Sequence, residues 1–324
     1  TQASPGRSAA EDRQDPRDLA VRVAGGKVGG IHAGEGRFAL LLTAPGLLVL
    51  LLTTSFPLLY LVWSSFQTIN LAMPFMDGFA AADNYVQMWR DARFWHAITL
   101  TGIYAASSVT LQILLGLGLA LLVMQIPAGQ WIFRILAILP IVLAPVVVGL
   151  FWRTLMLSPN FGLVDYFVQW FGFEQVNWLG APTPALASVI VIHTWQWTPF
   201  AFLVLLASLA ALPPDVYEAA RIDRANAVQR FWHITLPLLR PAIVIVVIMR
   251  LMIALSAFAA IFAATGGGPG TATEILNLYA FKTSFVELNF GYGSALAVSL
   301  LLITMVVSGA LFYLRTERRK EAAA

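Results

Sequence analysis

Six long apolar segments alternate with shorter polar stretches along this chain of 324 residues. They cover residues 38–66, 98–124, 132–157, 185–212, 242–264 and 294–314. Each is long enough to cross a hydrocarbon core about 30 Å thick at about 1.5 Å per helical residue. Because the membrane interior offers no water, such runs satisfy their backbone polar groups as helices rather than as barrel strands. The pattern predicts an all-α polytopic membrane protein with six transmembrane helices over residues 38–315.

Composition supports this class and excludes a soluble globule. Hydrophobic residues make up 59% of the chain and charged residues only 11%, whereas a soluble domain is about 25% charged. The chain has no cysteine, which excludes disulfides and cysteine-ligated metals. Residues 1–37 are rich in Gly, Ala, Asp and Arg and contain no apolar run, so we expect a disordered tail rather than a signal peptide. Residues 316–324 are expected to form a second tail.

The basic residues are distributed unevenly between the loops. Fifteen of the twenty fall in the N-terminal segment, at the start of the third span, in the loop after the fourth span, and after the sixth span. The opposite loops hold only Arg90, Arg93 and Lys282, and Arg153 and Arg250 lie within spans. The positive-inside rule therefore predicts cytoplasmic N- and C-termini in a multi-pass inner-membrane protein. This bias explains the sequence pI of about 9.3 without nucleic-acid binding.

The loop over residues 213–240 contains more signals for local helix formation than a simple connector requires. Asp215 and Glu218 have the spacing of a capping box, which predicts a first short helix after two prolines. Asn226 and Gln229 have the same spacing for a second helix, which Pro237 is expected to end. Small side chains between the two are expected to leave a surface that a partner could approach closely: Ala219, Ala220 and Ala225.

Residues 218–241 read EAARIDRANAVQRFWHITLPLLRP, which resembles the EAA loop of membrane subunits in binding-protein-dependent ABC importers. The similarity is to the carbohydrate group, which includes maltose-type and glycerol-phosphate-type permeases. The family pattern is met at Glu218, Ala219, Ala220, Asp223, Ala225, Phe231, Ile234, Leu236, Pro237 and Pro241. Residues 134–152 and 265–281 resemble the third span and the last external loop of the same group. One position departs, because the usual glycine after the aspartate is Arg224.

The resemblance implies that this loop, residues 213–241, is a coupling element that docks in a cleft of a separate ATPase. It assigns that contact to Glu218, Ala219, Ala220, Asp223, Arg224 and Ala225. Glycine suits a left-handed turn between the two helices, where another residue costs about 1 kcal/mol. Either the turn is built differently here, or Arg224 adds a charge to the docking surface. A purely structural alternative is that Glu218 only caps its helix, and the two roles are compatible.

The resemblance also implies an assembly. It would contain this chain, a homologous second permease or a second copy, two ATPase subunits and an external solute-binding protein. ATP and Mg would bind the ATPase subunits, and no cofactor is expected on this chain. In agreement, the chain contains no G-x-x-x-x-G-K-[ST] phosphate loop.

Two other classes of protein agree less well with the sequence. An ion-coupled secondary transporter keeps ionisable groups at membrane depth, but all six predicted spans lack Asp and Glu. A sodium site built from carbonyls would escape this argument. An intramembrane enzyme is disfavoured because the four histidines have no metal-ligand spacing. The sequence therefore predicts an ABC importer permease for a sugar or sugar-like solute, with a secondary transporter or an importer of a glycerol-phosphate-type anion as alternatives.

Polar residues inside the spans are candidates for the solute pathway, since they are costly in lipid. The second span contributes one helical face, formed by Thr101, Ser108 and Gln112. The fourth contributes a cluster of donors, acceptors and indole rings that suits sugars: His193, Thr194, Trp195, Gln196 and Trp197. Both groups could instead serve ordinary helix packing, although four adjacent residues are not expected all to face neighbouring helices. Arg250, within the fifth span, could bind solute, snorkel to the interface or meet carbonyls of a neighbouring subunit.

Overall fold

The computed structural model describes residues 33–126, 129–159 and 161–321. Most of the predicted tail over residues 1–37 and the last three residues therefore lie outside the described chain. Two compact units are distinguished, Thr1–Leu59 and Tyr60–Ala324. The described part of the first belongs to one helix, and every site discussed below lies in the second.

Helices account for most of the described residues and strands for only four, which confirms the all-α class. In chain order they are α1 Ala33–Ser64, α2 Asp83–Arg90, α3 Ala92–Gln125, α4 Gln130–Val142, α5 Pro145–Phe151, α6 Leu163–Trp170, α7 Pro182–Ala210, α8 Pro214–Ile222, α9 Ala227–Arg230, α10 Leu236–Leu255, α11 Ala259–Thr265, α12 Leu276–Phe281 and α13 Phe290–Glu321. A two-residue antiparallel pair, β1 Gln67–Thr68 and β2 Gly78–Phe79, follows α1. α13 continues past residue 316, where a tail was expected.

Five helical stretches in the described residues are long and apolar enough to cross a membrane, and a bent pair makes a sixth. The five are Leu41–Ser64, Ala92–Gln125, Pro182–Ala210, Ala227–Leu255 and Phe290–Tyr313. The prediction of one continuous third span was wrong, because Gln130–Val142 and Pro145–Met156 meet at an angle of 98°. The helix breaks at Leu143 and Ala144, both in extended conformation, since Pro145 disfavours the helical conformation in the residue before it.

The fifth predicted span, residues 242–264, is also interrupted. α10 ends at Leu255, and the chain crosses an irregular step before α11 begins at Ala259. At its other end this span is longer than predicted, because α9 runs through a π-helical turn, Phe231–Thr235, directly into α10. Pro237 therefore does not end the second loop helix. It lies at the second position of α10, directly after the π-helical turn and inside the continuous helical stretch Ala227–Leu255.

α7 is the central helix of the bundle and contacts α3, α4, α5, α10 and α11. Small residues permit the closest approaches. A Cβ on Gly116 of α3 would lie 2.8 Å from the Cβ of Ala201 on α7, and a Cβ on Gly149 of α5 would lie 2.5 Å from the carbonyl oxygen of Ala260 on α11. Apolar side chains of α3 and α7, among them Leu117 and Phe202, fill the space beside the first contact. α7 therefore offers neighbours to residues on nearly every side.

Candidate functional site

The loop between α7 and α10 forms two short helices joined by a tight left-handed turn. After α8, the N–H of Ala225 donates to the carbonyl of Ala220 at 2.9 Å and the N–H of Arg224 donates to that of Arg221 at 3.0 Å. This pair of bonds defines a Schellman motif, whose left-handed residue is usually glycine. Here it is Arg224, with φ of 56°. The turn is built in the glycine-type conformation, and Arg224 is exposed on it.

Of the two capping boxes predicted in this loop, the structure contains one. Asn226 and Gln229 form the reciprocal capping box, with bonds of 2.8 and 2.9 Å. The pairing of Asp215 with Glu218 was wrong, because Pro213 occupies the N-cap and Asp215 lies inside the first turn of α8. There its negative charge still favours the positive end of the helix. Glu218 is left exposed and free of a capping role.

Among the loop residues expected to contact a partner, exposure is uneven. Glu218, Ala219, Asp223 and Arg224 are exposed and Ala225 is half-buried. The side chain of Ala220 is only 7% exposed, so the expectation that it belongs to an accessible surface was wrong. The chain after α8 folds back on Ala220 through the hydrogen bond from the N–H of Ala225.

Sequence reasoning missed two apolar side chains on the same loop. Ile222 is 82% exposed, and Val228 is also largely exposed. Their signal was available, because branched apolar residues at the ends of short polar helices have no core to enter. They extend the candidate docking surface beyond the predicted residues.

A cavity of about 450 Å³ lies where the fifth span is interrupted. α7 contributes His193, Gln196 and Trp197 to its wall, α3 contributes Tyr104, and the irregular step contributes the backbone and side chains from Ser256 onward. His193 and its neighbours lie near the middle of the 29-residue α7. Tyr104 was not predicted, although it lies three residues after Thr101 on the same face of α3.

Directly behind this wall, Arg250 is completely buried, with 0% exposure. Its Nε donates to Oε1 of Gln112 at 2.8 Å, and its Nη2 contacts Nε2 of His193 at 3.4 Å. The guanidinium also lies over the ring of Trp197, 4.3 Å from the centroid. The snorkelling option is therefore excluded. Three residues predicted separately, on three different helices, meet at one point.

The contact with Arg250 determines how His193 faces the cavity. A guanidinium carries only donors, so the imidazole Nε2 must accept and the ring proton must be on Nδ1. His193 thus keeps one imidazole N–H beyond its contact with Arg250, and Trp197 has one face of its indole ring against a cation. This combination can donate to a hydroxyl or ether oxygen and can stack against an apolar C–H face.

The remaining predicted pathway residues do not line the cavity. Thr101 donates to the carbonyl of Ala97 and accepts from the N–H of Leu276, which anchors the start of α12. Ser108 and Thr194 are buried, and Trp195 packs edge to face on Trp152 at 5.8 Å. Of the four adjacent residues of α7 that were not expected all to face neighbouring helices, three line the cavity and the fourth, Trp195, packs against another span.

Comparison with known proteins identifies the chain. A family model described as binding-protein-dependent transport system inner membrane component matches residues 112–321. The chain belongs to this family. It is therefore the inner-membrane component of a transport system that works with a solute-binding protein and partner subunits, and it is a permease rather than an enzyme.

Several permeases of this family resemble the chain over most of its length. The sulfoquinovosyl glycerol transport system permease protein SmoG of Agrobacterium fabrum is 35% identical over 90% of this chain and 94% of its own. The trehalose/maltose transport system permease protein MalF of Thermococcus litoralis is 36% identical over 74% and 80%. A solved bacterial ABC transporter involved in import of the acidic polysaccharide alginate matches with a TM-score of 0.73 at 22% identity, over 89% of this chain and 97% of that one, which supports the fold.

This permease also has a polar cluster that sequence reasoning missed, at the opposite end of α7 from the loop. Glu274, almost fully buried, accepts from Nε and Nη2 of Arg93 at 2.7 and 3.0 Å and from Nζ of Lys282 at 2.7 Å. Burial alone would raise the pKa of Glu274, but the hydrogen bonds and charges of Arg93 and Lys282 lower it more, so the net pKa lies below its usual value. The cluster ties α3 to the segments around α12.

Asp91 reinforces the same junction. Its side chain caps α3 by accepting from the N–H of Arg93, and its Oδ2 accepts from the hydroxyls of Tyr279 and Tyr292 at 2.5 and 2.7 Å. Burial acts to raise the pKa of Asp91, but these hydrogen bonds outweigh it and hold the pKa below the usual range. Partners nearly 200 residues apart in sequence leave no local signal, so periodicity could not reveal this cluster.

Proposed function

We propose that this permease subunit conducts a neutral, sugar-like solute through the membrane and that a separate ATPase docks on residues 213–240 to drive it. Sequence similarity supports a sugar-like solute, since relatives are named for trehalose/maltose, which are neutral, and for sulfoquinovosyl glycerol, which is a sugar derivative with a sulfonate group. The cavity wall supports a neutral solute, because within the described residues it contains no Asp, Glu, Lys or Arg. This composition favours a neutral sugar or polyol over a glycerol-phosphate-type anion.

One observation carries the coupling mechanism. The stretch from Ala227 to Leu255 is a single helical span that starts in the docking loop and ends at the cavity. The hydroxyls of Tyr217 on α8 and Thr235 in the π-helical turn hydrogen-bond each other at 2.9 Å. A displacement of α8 is therefore transmitted to the helix that carries Arg250. From there it reaches His193 and Trp197 in the cavity wall.

The docking surface offers both charge and apolar area. Glu218, Asp223 and Arg224 present exposed charges on the loop, while Ile222 presents an exposed apolar side chain. Such a mixture of a central apolar residue and a charged rim is typical of transient protein interfaces. ATP and Mg on two ATPase subunits would draw two such loops together, one on this chain and one on a second permease, homologous or identical. Closure would open the cavity toward the solute-binding protein.

This arrangement requires the loop to face the cytoplasm, where ATP is available. The positive-inside distribution of Arg and Lys assigns both termini to the same side. The ionic cluster around Glu274 then lies on the outer side, close to where a solute-binding protein delivers its cargo.

The experiment is charge reversal at the docking surface. Glu218→Lys should insert normally in the membrane but lose ATP-driven uptake in reconstituted vesicles, and the ATPase should no longer co-purify in mild detergent. Asp83→Lys is the matched control, because Asp83 is an exposed carboxylate at the other end of the bundle; it should retain the ATPase. Full uptake by Glu218→Lys would refute the docking role. Solute accumulation on a cation gradient without ATP would refute the whole proposal.

A further inference from the structure

The short helix α6, between the third and fourth spans, turns its apolar side away from the protein. Its apolar residues follow the helical spacing i, i+3, i+4, i+7 and i+8 and are all exposed: Leu163, Tyr166, Phe167, Trp170 and Phe171. Trp170 is 76% exposed and Phe171 75%. The rings form a continuous patch, with centroids of successive neighbours about 6 Å apart, from 5.9 to 6.4 Å. In water this arrangement would be the reverse of a normal surface helix.

The inner side of α6 is fixed to the protein by specific contacts, so the outward orientation of its aromatic side is defined by the fold. Asp165, only 3% exposed, accepts from the N–H of Val176 at 3.1 Å and from Nε2 of Gln169 at 2.9 Å. Val164 packs on the cluster that contains Val148 and Ile192. The polar and small side chains thus hold α6 in place, and its aromatic side is left outward.

The position of α6 along the bundle places that patch near a membrane boundary. α7 has 29 residues, about 43 Å of helix at 1.5 Å per residue, which matches the roughly 40–45 Å between headgroup layers. Asp165 of α6 accepts from the N–H of Val176, which lies six residues before α7 begins at Pro182. α6 is therefore fixed to the chain just before the first turn of α7, at the level of the headgroups. The exposed apolar surface continues beside it onto Leu155 at the end of the third span.

We infer that α6 is an interfacial anchor whose aromatic face enters the outer headgroup and acyl boundary of the bilayer. Trp, Tyr and Phe suit this layer because their rings are apolar while the indole N–H and phenol O–H can reach water or headgroups. Residues 157–181 contain Asp165 and Glu174 but no Lys or Arg, so the attraction does not depend on anionic lipid. The partner is therefore a zwitterionic lipid surface, held by apolar contact.

The absence of cysteine from the sequence makes a direct test straightforward. Phe171→Cys and Trp170→Cys, each carrying a nitroxide spin label, place a probe on the aromatic face. Glu174→Cys is the matched control, because Glu174 is exposed in the same segment but is polar. The complete transporter would be reconstituted in nanodiscs of zwitterionic lipid. Collision of the label with dissolved oxygen, which enriches in lipid, would be compared with collision with a water-soluble nickel chelate.

The expected result is a several-fold higher ratio of oxygen to nickel collisions at residues 170 and 171 than at 174, unchanged in high salt. Equal ratios at all three positions would show that the aromatic face is in water and would overturn the inference. Protection of residues 170 and 171 from both reagents would show that protein covers the face, and would overturn it equally. ATP-driven uptake by the labelled variants, measured in parallel, tests the proposed function independently.

Discussion

Removing the acceptor of Arg250 should harm this permease more than removing Arg250 itself. The guanidinium is fully buried, and the described chain gives it the oxygen of Gln112, the nitrogen of His193 and the ring of Trp197, but no carboxylate. Gln112→Leu leaves a buried cation without the oxygen acceptor that the described residues give it, which costs more than the ~1–3 kcal/mol of an unpaired neutral group because the group left unpaired is charged. Arg250→Met removes the charge together with its desolvation cost. The Arg250→Met variant leaves the oxygen of Gln112 and the nitrogen of His193 unpaired, at a cost of about 1–3 kcal/mol each. The desolvation cost that is removed with the charge offsets part of this loss.

The two costs can be separated with a double variant. We expect Gln112→Leu to be the least stable of the three, with Gln112→Leu/Arg250→Met more stable than Gln112→Leu alone. The assay is denaturation of the purified transporter in mixed micelles with increasing ionic detergent, which gives relative free energies of unfolding. Thr99→Val serves as the control, because Thr99 is exposed on the same helix. If Arg250→Met were the least stable variant, or if the double variant were the sum of the two single ones, the charge would not be what Gln112 neutralises.

The remaining predictions concern the turn, the helix contact and the outer cluster. Arg224→Gly should stabilise the docking loop by about 1 kcal/mol, since glycine adopts the left-handed conformation without strain. Arg221→Gly inside α8 should destabilise the loop by about as much. Hydrogen exchange of the loop amides should slow in the first variant and accelerate in the second. Gly116→Ala should destabilise the bundle by about 1–3 kcal/mol through overpacking, while Gly118→Ala, which meets nothing within 4 Å, should not. Because its folded pKa is lowered, the contribution of Glu274 is complete above the unfolded value of about 4.5 and is lost as pH falls below it; Glu274→Gln should remove this acid sensitivity from melting curves.

Most of the secondary structure could be predicted because a membrane imposes one requirement on every span. Runs of apolar residues located all six segments, and the local spacing of Asn226 and Gln229 located the second loop helix. The two interruptions were missed, at Leu143 and at Ser256. Hydropathy does not change at either point, so the apolar pattern continues across them. Only Pro145 offered a signal at the first, and nothing local marked the second.

The site was predictable in composition but not in arrangement. Cost in lipid singled out Gln112, His193 and Arg250 as side chains that need partners, and the structure brings the three together, although only His193 lines the cavity. Their meeting depends on the way α3, α7 and α10 pack, which no single span encodes. The same limit explains Glu274, whose partner Arg93 lies 181 residues away. Sequence shows which side chains need partners, and packing decides which partners they receive.

The interruptions and the cavity have a common physical basis. A helix break at membrane depth frees carbonyl groups that lipid cannot satisfy, so each break must be met by a donor from another helix. Nε2 of Gln196 donates to the carbonyl of Leu143 at 3.1 Å, and Nδ2 of Asn277 donates to that of Ser256 at 3.0 Å. Both breaks are thus paired with amide side chains, and Gln196 and Ser256 also line the cavity. Some of the polar groups that make the wall suitable for a hydroxylated solute are therefore the same groups that allow the helices to break there. The breaks that open the cavity and the hydrogen bonds that satisfy the freed carbonyls depend on each other.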